Sequence, residues 1–217
     1  MTEITELPAL PGSAARPGNT MTPRYITIHN TANTNKGAGA LGHARYLRGA
    51  GAGKQVSYHY AVDDGCIARI LPDTENAWHA GDGGQGTGNR QSLAIEICEN
   101  PESSLAAATD NAAELTAHLM RDWNIPLENV VQHNRWSGKN CPRRLRAGEP
   151  YDWTTFLLKV SGFYAGLQPQ KPGESSAPAG SLYAVQTGAF RSRGSADAYA
   201  ASLRAKGVDA FVTQKQG

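Results

Sequence analysis

The sequence has 217 residues, 40% hydrophobic and 18% charged, with a formal net charge of +2. That length carries one well-buried domain plus a smaller appendage, and the composition is that of an ordinary globular chain. So slight a positive balance, without any basic stripe interleaved with aromatics, excludes a nucleic-acid partner but not an anionic surface. No apolar run approaches the roughly 18 residues of a bilayer span, so no membrane insertion is expected. The opening MTEITELPALPGSAARPGNT has no basic region followed by an apolar stretch. The chain is therefore expected to be synthesised in the cytoplasm without a signal peptide. Cys66, Cys98 and Cys141 cannot all pair within one chain. An odd count argues against a disulfide framework and leaves at least one thiol for other chemistry.

Residues 1–22 are rich in Pro, Gly, Ala and Thr and read as an irregular lead-in. Tyr25 to His29 then alternates, with Ile26 and Ile28 on one face and Thr27 and His29 on the other, the pattern of a half-buried strand. Gly37 to Arg48 reads as a helix, with Leu41, Ala44 and Leu47 at helical spacing and a Gly-rich stretch ending it. Val56 to Val62 predicts a strand, turned by Asp63-Asp64-Gly65 into a hairpin partner over Cys66 to Leu71. Residues 76–91 contain five glycines and almost no aliphatics, a long loop of the kind that is uncommon unless functional. Leu93 to Cys98 alternates again, with Leu93, Ile95 and Ile97 opposite Ala94, Glu96 and Cys98.

From Ser104 to Trp123, Leu105, Ala108, Ala112, Leu115, Leu119 and Trp123 recur at steps of three and four, an amphipathic helix. Val130-Val131 forms a short strand leading into His133, followed by a loop over 134–141. A helix over about 151–165 carries Trp153, Phe156, Leu157 and Val160 on one stripe. Strands alternating with helices, with a hairpin among them, predict an α/β domain over 23–166: a mixed central β-sheet flanked by helices. Residues 167–181 are a Pro/Gly/Ser-rich linker. Beyond it, 182–217 predicts a small βαβ unit: a strand over Leu182–Thr187, a helix over Ser195–Lys206 capped by Gly207, and a strand over Val208–Thr213.

A hydrolytic metal site needs three protein ligands, an open position for water, and a carboxylate to take a proton. His29 lies at a strand end, on the face opposite Ile26 and Ile28. His133 ends another strand, and Cys141 follows after seven intervening residues, a spacing that suits a loop returning to one metal. Glu96 lies opposite its strand's aliphatics and could share a cavity with His29. The same spacing is equally compatible with residues that only pack.

Five segments in order carry a family resemblance: Tyr25 to Ala32 (YITIHNTA), Ser57 to Asp64 (SYHYAVDD), Asn76 to Gly83 (NAWHAGDG), Gly88 to Cys98 (GNRQSLAIEIC) and His133 to Pro142 (HNRWSGKNCP). They resemble the type 2 N-acetylmuramoyl-L-alanine amidases of bacteria and their phages, relatives of the peptidoglycan recognition proteins, over about 22–165. The resemblance implies one Zn2+ per chain on His29, His133 and Cys141, with Glu96 activating the water and Lys139 placed near the scissile carbonyl. It implies peptidoglycan as partner, cut between N-acetylmuramic acid and L-alanine; action on the cell wall after release, as a monomer, is a separate expectation. A phage or prophage endolysin, or a sporulation lysin, fits a wall-cutting enzyme without a leader. The alternative is a non-catalytic peptidoglycan-binding module of the same fold, but such relatives lack the Cys-position ligand, and Cys141 is present. Leu182 to Phe190 with the following helix is similar to the first half of a SPOR repeat, a module that binds glycan strands, so a partial cell-wall-binding unit is expected over 182–217.

The remaining polar residues have plainer readings. Tyr58, Trp78 and His79 are expected at the substrate, with His79 also the rival metal ligand. His59 reads as structural or groove-lining, and His43 and His118 as surface or boundary residues on helices. Cys66 and Cys98 read as small buried hydrophobes, and Arg143, Arg144 and Arg146 as a solvated basic face.

Overall fold

The computed structural model describes residues 1–168, 192–204 and 210–213. The chain divides into two compact units, Met1–Pro169 and Gln170–Gly217. The first contains β1 (Ile4–Glu6), β2 (Tyr25–Asn30), α1 (Ala40–Arg48), β3 (Tyr60–Val62), β4 (Ile67–Arg69), α2 (Thr87–Gln91) and β5 (Ser92–Ile97). It continues with α3 (Leu105–Trp123), a 3-10 turn (Leu127–Asn129), β6 (Val130–Gln132), α4 (Asn134–Ser137), α5 (Arg143–Ala147) and α6 (Trp153–Leu167). The strands form one six-stranded sheet in the order β1-β4-β3-β5-β2-β6. Only the β3–β4 hairpin is antiparallel; the other four ladders are parallel. This is the expected mixed sheet flanked by helices.

The alternation in β2 and β5 decides which side each residue serves. Ile26, Ile28, Leu93, Ile95 and Ile97 join Ala108, Ala112, Leu115 and Leu119 of α3 and Phe156 and Val160 of α6 in one buried cluster. Ala61, Ala68, Ala94 and Cys98 face the other way, against Ala40, Ala44 and Leu47 of α1. Small residues on that face let α1 lie close to the sheet. Because both faces are covered, the polar residues of β2 must find partners inside. Thr27 Oγ1 does so with Ser92 Oγ at 2.5 Å and with the indole N–H of Trp136 at 2.9 Å. The helix over α3 starts where Ser104 accepts the amide of Ala107 and stops where Asn124 turns left-handed at φ 50°.

Four expectations are corrected. Residues 1–22 are not merely a lead-in: β1 pairs in parallel with β4, Thr20 bridges Glu75, and Ala9, Ala15 and Met21 are buried. Three residues are too short to display a period, and an edge strand is held mainly through its backbone. The strand expected from Val56 begins only at Tyr60, because Ser57 gives its amide to Trp78 rather than to a neighbouring strand. The loop over 76–91 closes on α2, whose Gly88 and Asn89 amides donate to the Asp82 carboxylate at 2.6 and 3.2 Å. Gly86 is needed there, since a Cβ would fall 2.1 Å from Asp82 Cγ. The loop over 134–141 likewise contains α4, and α5 follows Pro142.

In the second unit, α7 (Arg193–Arg204) covers most of the helix expected over 195–206. The expected strand over 182–187, the linker beyond 168 and Gly207 lie outside the described residues. Of the strand expected over 208–213, the described part, 210–213, is irregular. Among the described residues no helix is long and apolar enough to cross a membrane.

Candidate metal centre

Strand order brings three donors from distant parts of the chain together. His29 is the fifth residue of β2, and β6, which ends at Gln132 immediately before His133, is the neighbour of β2. Cys141 returns because Asn134 ties the intervening loop: its amide donates to the Cys141 carbonyl, and its side-chain Nδ2 donates to the carbonyls of Gly138 and Lys139, each at 3.0 Å. The left-handed Gly138, at φ 73°, makes the reversal. One donor atom from each of His29, His133 and Cys141 lies within 4.8 Å of the other two, and all three residues are buried.

The hydrogen bonds say which nitrogens face inward. His29 Nε2 is occupied by His79 Nδ1 at 3.0 Å, and His133 Nε2 by the Ala80 carbonyl at 2.9 Å. That leaves Nδ1 of each ring toward the cluster: His29 Nδ1 is 3.8 Å from Cys141 Sγ, and His133 Nδ1 is buried with no hydrogen-bond partner. An orphaned imidazole nitrogen, two oriented rings and one thiol suit a tetrahedral, borderline-soft metal such as zinc, with the fourth position open.

The electrostatics agree with that donor set. Burial holds His29 well below the ordinary histidine range and lowers His133 as well, so both stay neutral, the form that binds metal. Burial pushes the Cys141 thiol up to about 11, with Glu96 adding to the rise. A cation beside it is what would hold the thiolate near neutral pH.

Glu96 Oε1 is 3.9 Å from His29 Nδ1, and its side chain is only 15% exposed. Its second oxygen, Oε2, is buried without a partner. Burial raises the carboxyl to about 8, against the opposing pull of Lys139. Lys139 itself is exposed, two residues before Cys141, and its charge is felt at His29, Glu96, His133 and Cys141. The five residues expected at the metal and the reacting bond are thus gathered at one end of the parallel strands.

The other expected site residues take different places. Tyr58 is buried, its hydroxyl 2.7 Å from His43 Nδ1, and burial with the nearby Glu96 pushes its phenol up. Trp78 is half-buried beside the Gly-rich loop, where a Cβ on Gly84 would lie 3.4 Å from the indole. His79, expected at the substrate, stands behind His29. His59 is structural: Nε2 is 2.8 Å from the Glu75 carbonyl and Nδ1 accepts the Ala94 amide at 2.9 Å. Cys98 is buried as expected, whereas Cys66 is only half-buried.

Sequence reasoning missed two supports. Arg143 and Arg144 do not simply face solvent: both bind Glu99, whose side chain is 1% exposed and also accepts the Ala32 amide at 3.1 Å. This ties the loop after β2 to α5. Asn89 accepts the amides of both His79 and Ala80 at 2.8 Å. Neither pairing has a local signal, because the partners lie far apart or act through backbone groups.

A parallel-rich sheet carrying a His/His/Cys cluster and a buried carboxylate at its strand ends defines an α/β domain with a candidate metal site. The N-acetylmuramoyl-L-alanine amidase family pattern matches residues 19–144, and a SPOR domain pattern matches 179–217. Over 146 residues the chain is 51% identical to N-acetylmuramoyl-L-alanine amidase CwlH of Bacillus subtilis strain 168, covering 67% of this chain and 56% of that one. It is 48% identical over 164 residues to amidase XlyA of the same organism, covering 76% of this chain and 53% of that one. The solved catalytic domain of XlyA superposes with a TM-score of 0.69 at 48% identity, over 73% of this chain and 99% of that one. PlyL gives a TM-score of 0.66 at 39% identity, over 73% and 97%. The chain therefore belongs to the N-acetylmuramoyl-L-alanine amidase family. It spans about half the length of the curated relatives it matches.

Proposed function

We propose that this chain is a zinc-dependent N-acetylmuramoyl-L-alanine amidase, hydrolysing the amide between N-acetylmuramic acid and L-alanine in peptidoglycan. The observation that carries the reading is the buried His29/His133/Cys141 cluster with Glu96 beside it, its Oε1 3.9 Å from His29 Nδ1 and its Oε2 without a partner. Kinship with amidases CwlH and XlyA supports the choice of substrate, and the SPOR match supports a glycan-rich target.

Zinc held by the three donors would supply Lewis acidity at the scissile carbonyl and lower the pKa of water there. Glu96 takes the proton from the attacking water and hands it to the departing L-alanine nitrogen. Its desolvated position makes it a stronger base than an exposed carboxylate, and its unpaired Oε2 is free to accept. Lys139, exposed at the rim, places positive charge where the carbonyl oxygen becomes negative. His29 and His133 remain neutral and fixed.

Digestion of purified peptidoglycan, with and without a zinc chelator, tests the reading by mass analysis of the products. Peptides beginning with L-alanine, released only when zinc is present, are expected. Bound but uncut peptidoglycan would favour a recognition module, and cut glycosidic bonds or cross-links would mean another hydrolase. Action on the wall after release from the cytoplasm, and as a monomer, belongs to the same proposal.

A further inference from the structure

We infer that the consecutive residues His79 and Ala80 act as an acceptor pair that fixes the tautomers of both histidine ligands, with His79 the positioning residue for His29. The inference rests on the zinc reading above. A neutral His29 can offer Nδ1 to a metal only if its proton sits on Nε2. The acceptor for that proton is His79 Nδ1, 3.0 Å away. His79 must then carry its own proton on Nε2, which is the atom left buried without a hydrogen-bond partner.

His133 repeats the arrangement one residue further along. Its Nδ1 is unpartnered, and its Nε2–H donates to the Ala80 carbonyl at 2.9 Å, with Ser137 Oγ at 3.1 Å on the same nitrogen. One dipeptide thus faces the outer nitrogens of two ligands.

The dipeptide is itself pinned. Asn89 Oδ1 accepts the amides of His79 and Ala80, both at 2.8 Å, while Asn89 Nδ2 donates to the Gly83 carbonyl at 3.1 Å. Asn89 is 3% exposed and its backbone amide is held by Asp82. With Asn89 Oδ1 accepting both amides and Nδ2 tied to Gly83, the main chain of the dipeptide cannot shift without breaking a buried hydrogen bond. His59 packs edge-on against the His79 ring, with centroids 6.4 Å apart, which closes the other side.

The test is zinc affinity, measured on the full chain by competition with a chromophoric chelator, with circular dichroism to follow folding. Loss of an outer acceptor of this kind weakens metal binding by about 10- to 100-fold, and that weakening is expected for His79→Phe. His79→Asn, whose Oδ1 takes the place of Nδ1, should restore affinity to within about threefold of wild type. Unchanged affinity in a folded His79→Phe protein overturns the inference alone; wild-type protein that holds no zinc overturns it together with the metal reading. Should His79→Phe fail to fold, nitrogen-15 spectra of the zinc-loaded wild type decide the matter. A proton on Nε2 of both His29 and His79 is expected, and a proton on His79 Nδ1 overturns the inference.

Discussion

His29 of β2 and Glu96 of β5 are direct partners across a parallel ladder, with Nδ1 and Oε1 3.9 Å apart. Opposed residues in neighbouring strands point to the same face, so the pairing that buries Ile26, Ile28, Leu93, Ile95 and Ile97 also sets the distance from the His29 ring to the Glu96 carboxylate. A slip of one residue would turn Glu96 into the aliphatic cluster and an isoleucine toward the His29/His133/Cys141 cluster. The site geometry is therefore a property of the sheet rather than of a loop that must be ordered separately.

Glu96→Gln keeps the shape and removes the proton acceptor. Zinc content should match wild type, while peptide release from peptidoglycan falls by about a hundredfold or more. A rate within a few-fold of wild type would assign the base to another residue.

Lys139→Met removes the exposed charge that reaches all four neighbouring site residues. We expect turnover to drop by roughly 10²-fold, as when one stabiliser of a developing oxyanion is lost. Stability should change by no more than about 0.5 kcal/mol, as for an exposed position. Parallel measurement of rates and urea midpoints checks both; a large stability loss with normal rates would make Lys139 structural.

Glu99→Ala should cost about 2 kcal/mol in urea unfolding, because a buried carboxylate with two charged donors and a backbone amide is lost together. The penalty is held down by the partial exposure of Arg143 and Arg144, whose side chains are 40% and 30% exposed and can rehydrate. An unchanged midpoint would show that the clamp contributes nothing to stability.

The readable parts of this fold were those long enough to show a period. β2, β5, α3 and α6 each repeat their apolar spacing, and each forms where that spacing predicts. β1, α2, α4 and α5 span three to five residues, too few for any periodicity, and depend on partners elsewhere such as Asp82 for α2. At the site, spacing alone left His29, His133 and Cys141 open to a packing role; the ordered motifs pointed to the metal. The places of His79, Asn89 and Glu99 were illegible because their contacts are set by tertiary approach.

Acid should destabilise the metal-free protein before ordinary carboxylates titrate. Burial holds His59 at about 4, against an ordinary 6.5, and His79 at about 3. Above pH 6.5 neither state binds the proton. As pH falls below 6.5 the unfolded chain takes up protons that the native rings refuse, so stability declines down to the folded values. For His59 the full decline is roughly 3 kcal/mol, at about 1.4 kcal/mol per pKa unit. Glu96, raised to about 8, acts in the opposite sense over this window and offsets one of the two histidines, so a net decline remains. Unfolding free energies in chelator at pH 7, 6 and 5 test this, and a flat or rising profile would contradict it.

His29 and Cys141 lie 112 residues apart along the chain yet 3.8 Å apart at their donor atoms. A polypeptide still emerging from the ribosome owns no pocket for the ion until β6 has come to rest beside β2 and the turn through Gly138 has brought the thiol back. On the zinc reading, an ion would find its three donors together only after that pairing. For a protein whose proposed target is the wall of a cell, competence arrives only with completion of the sheet.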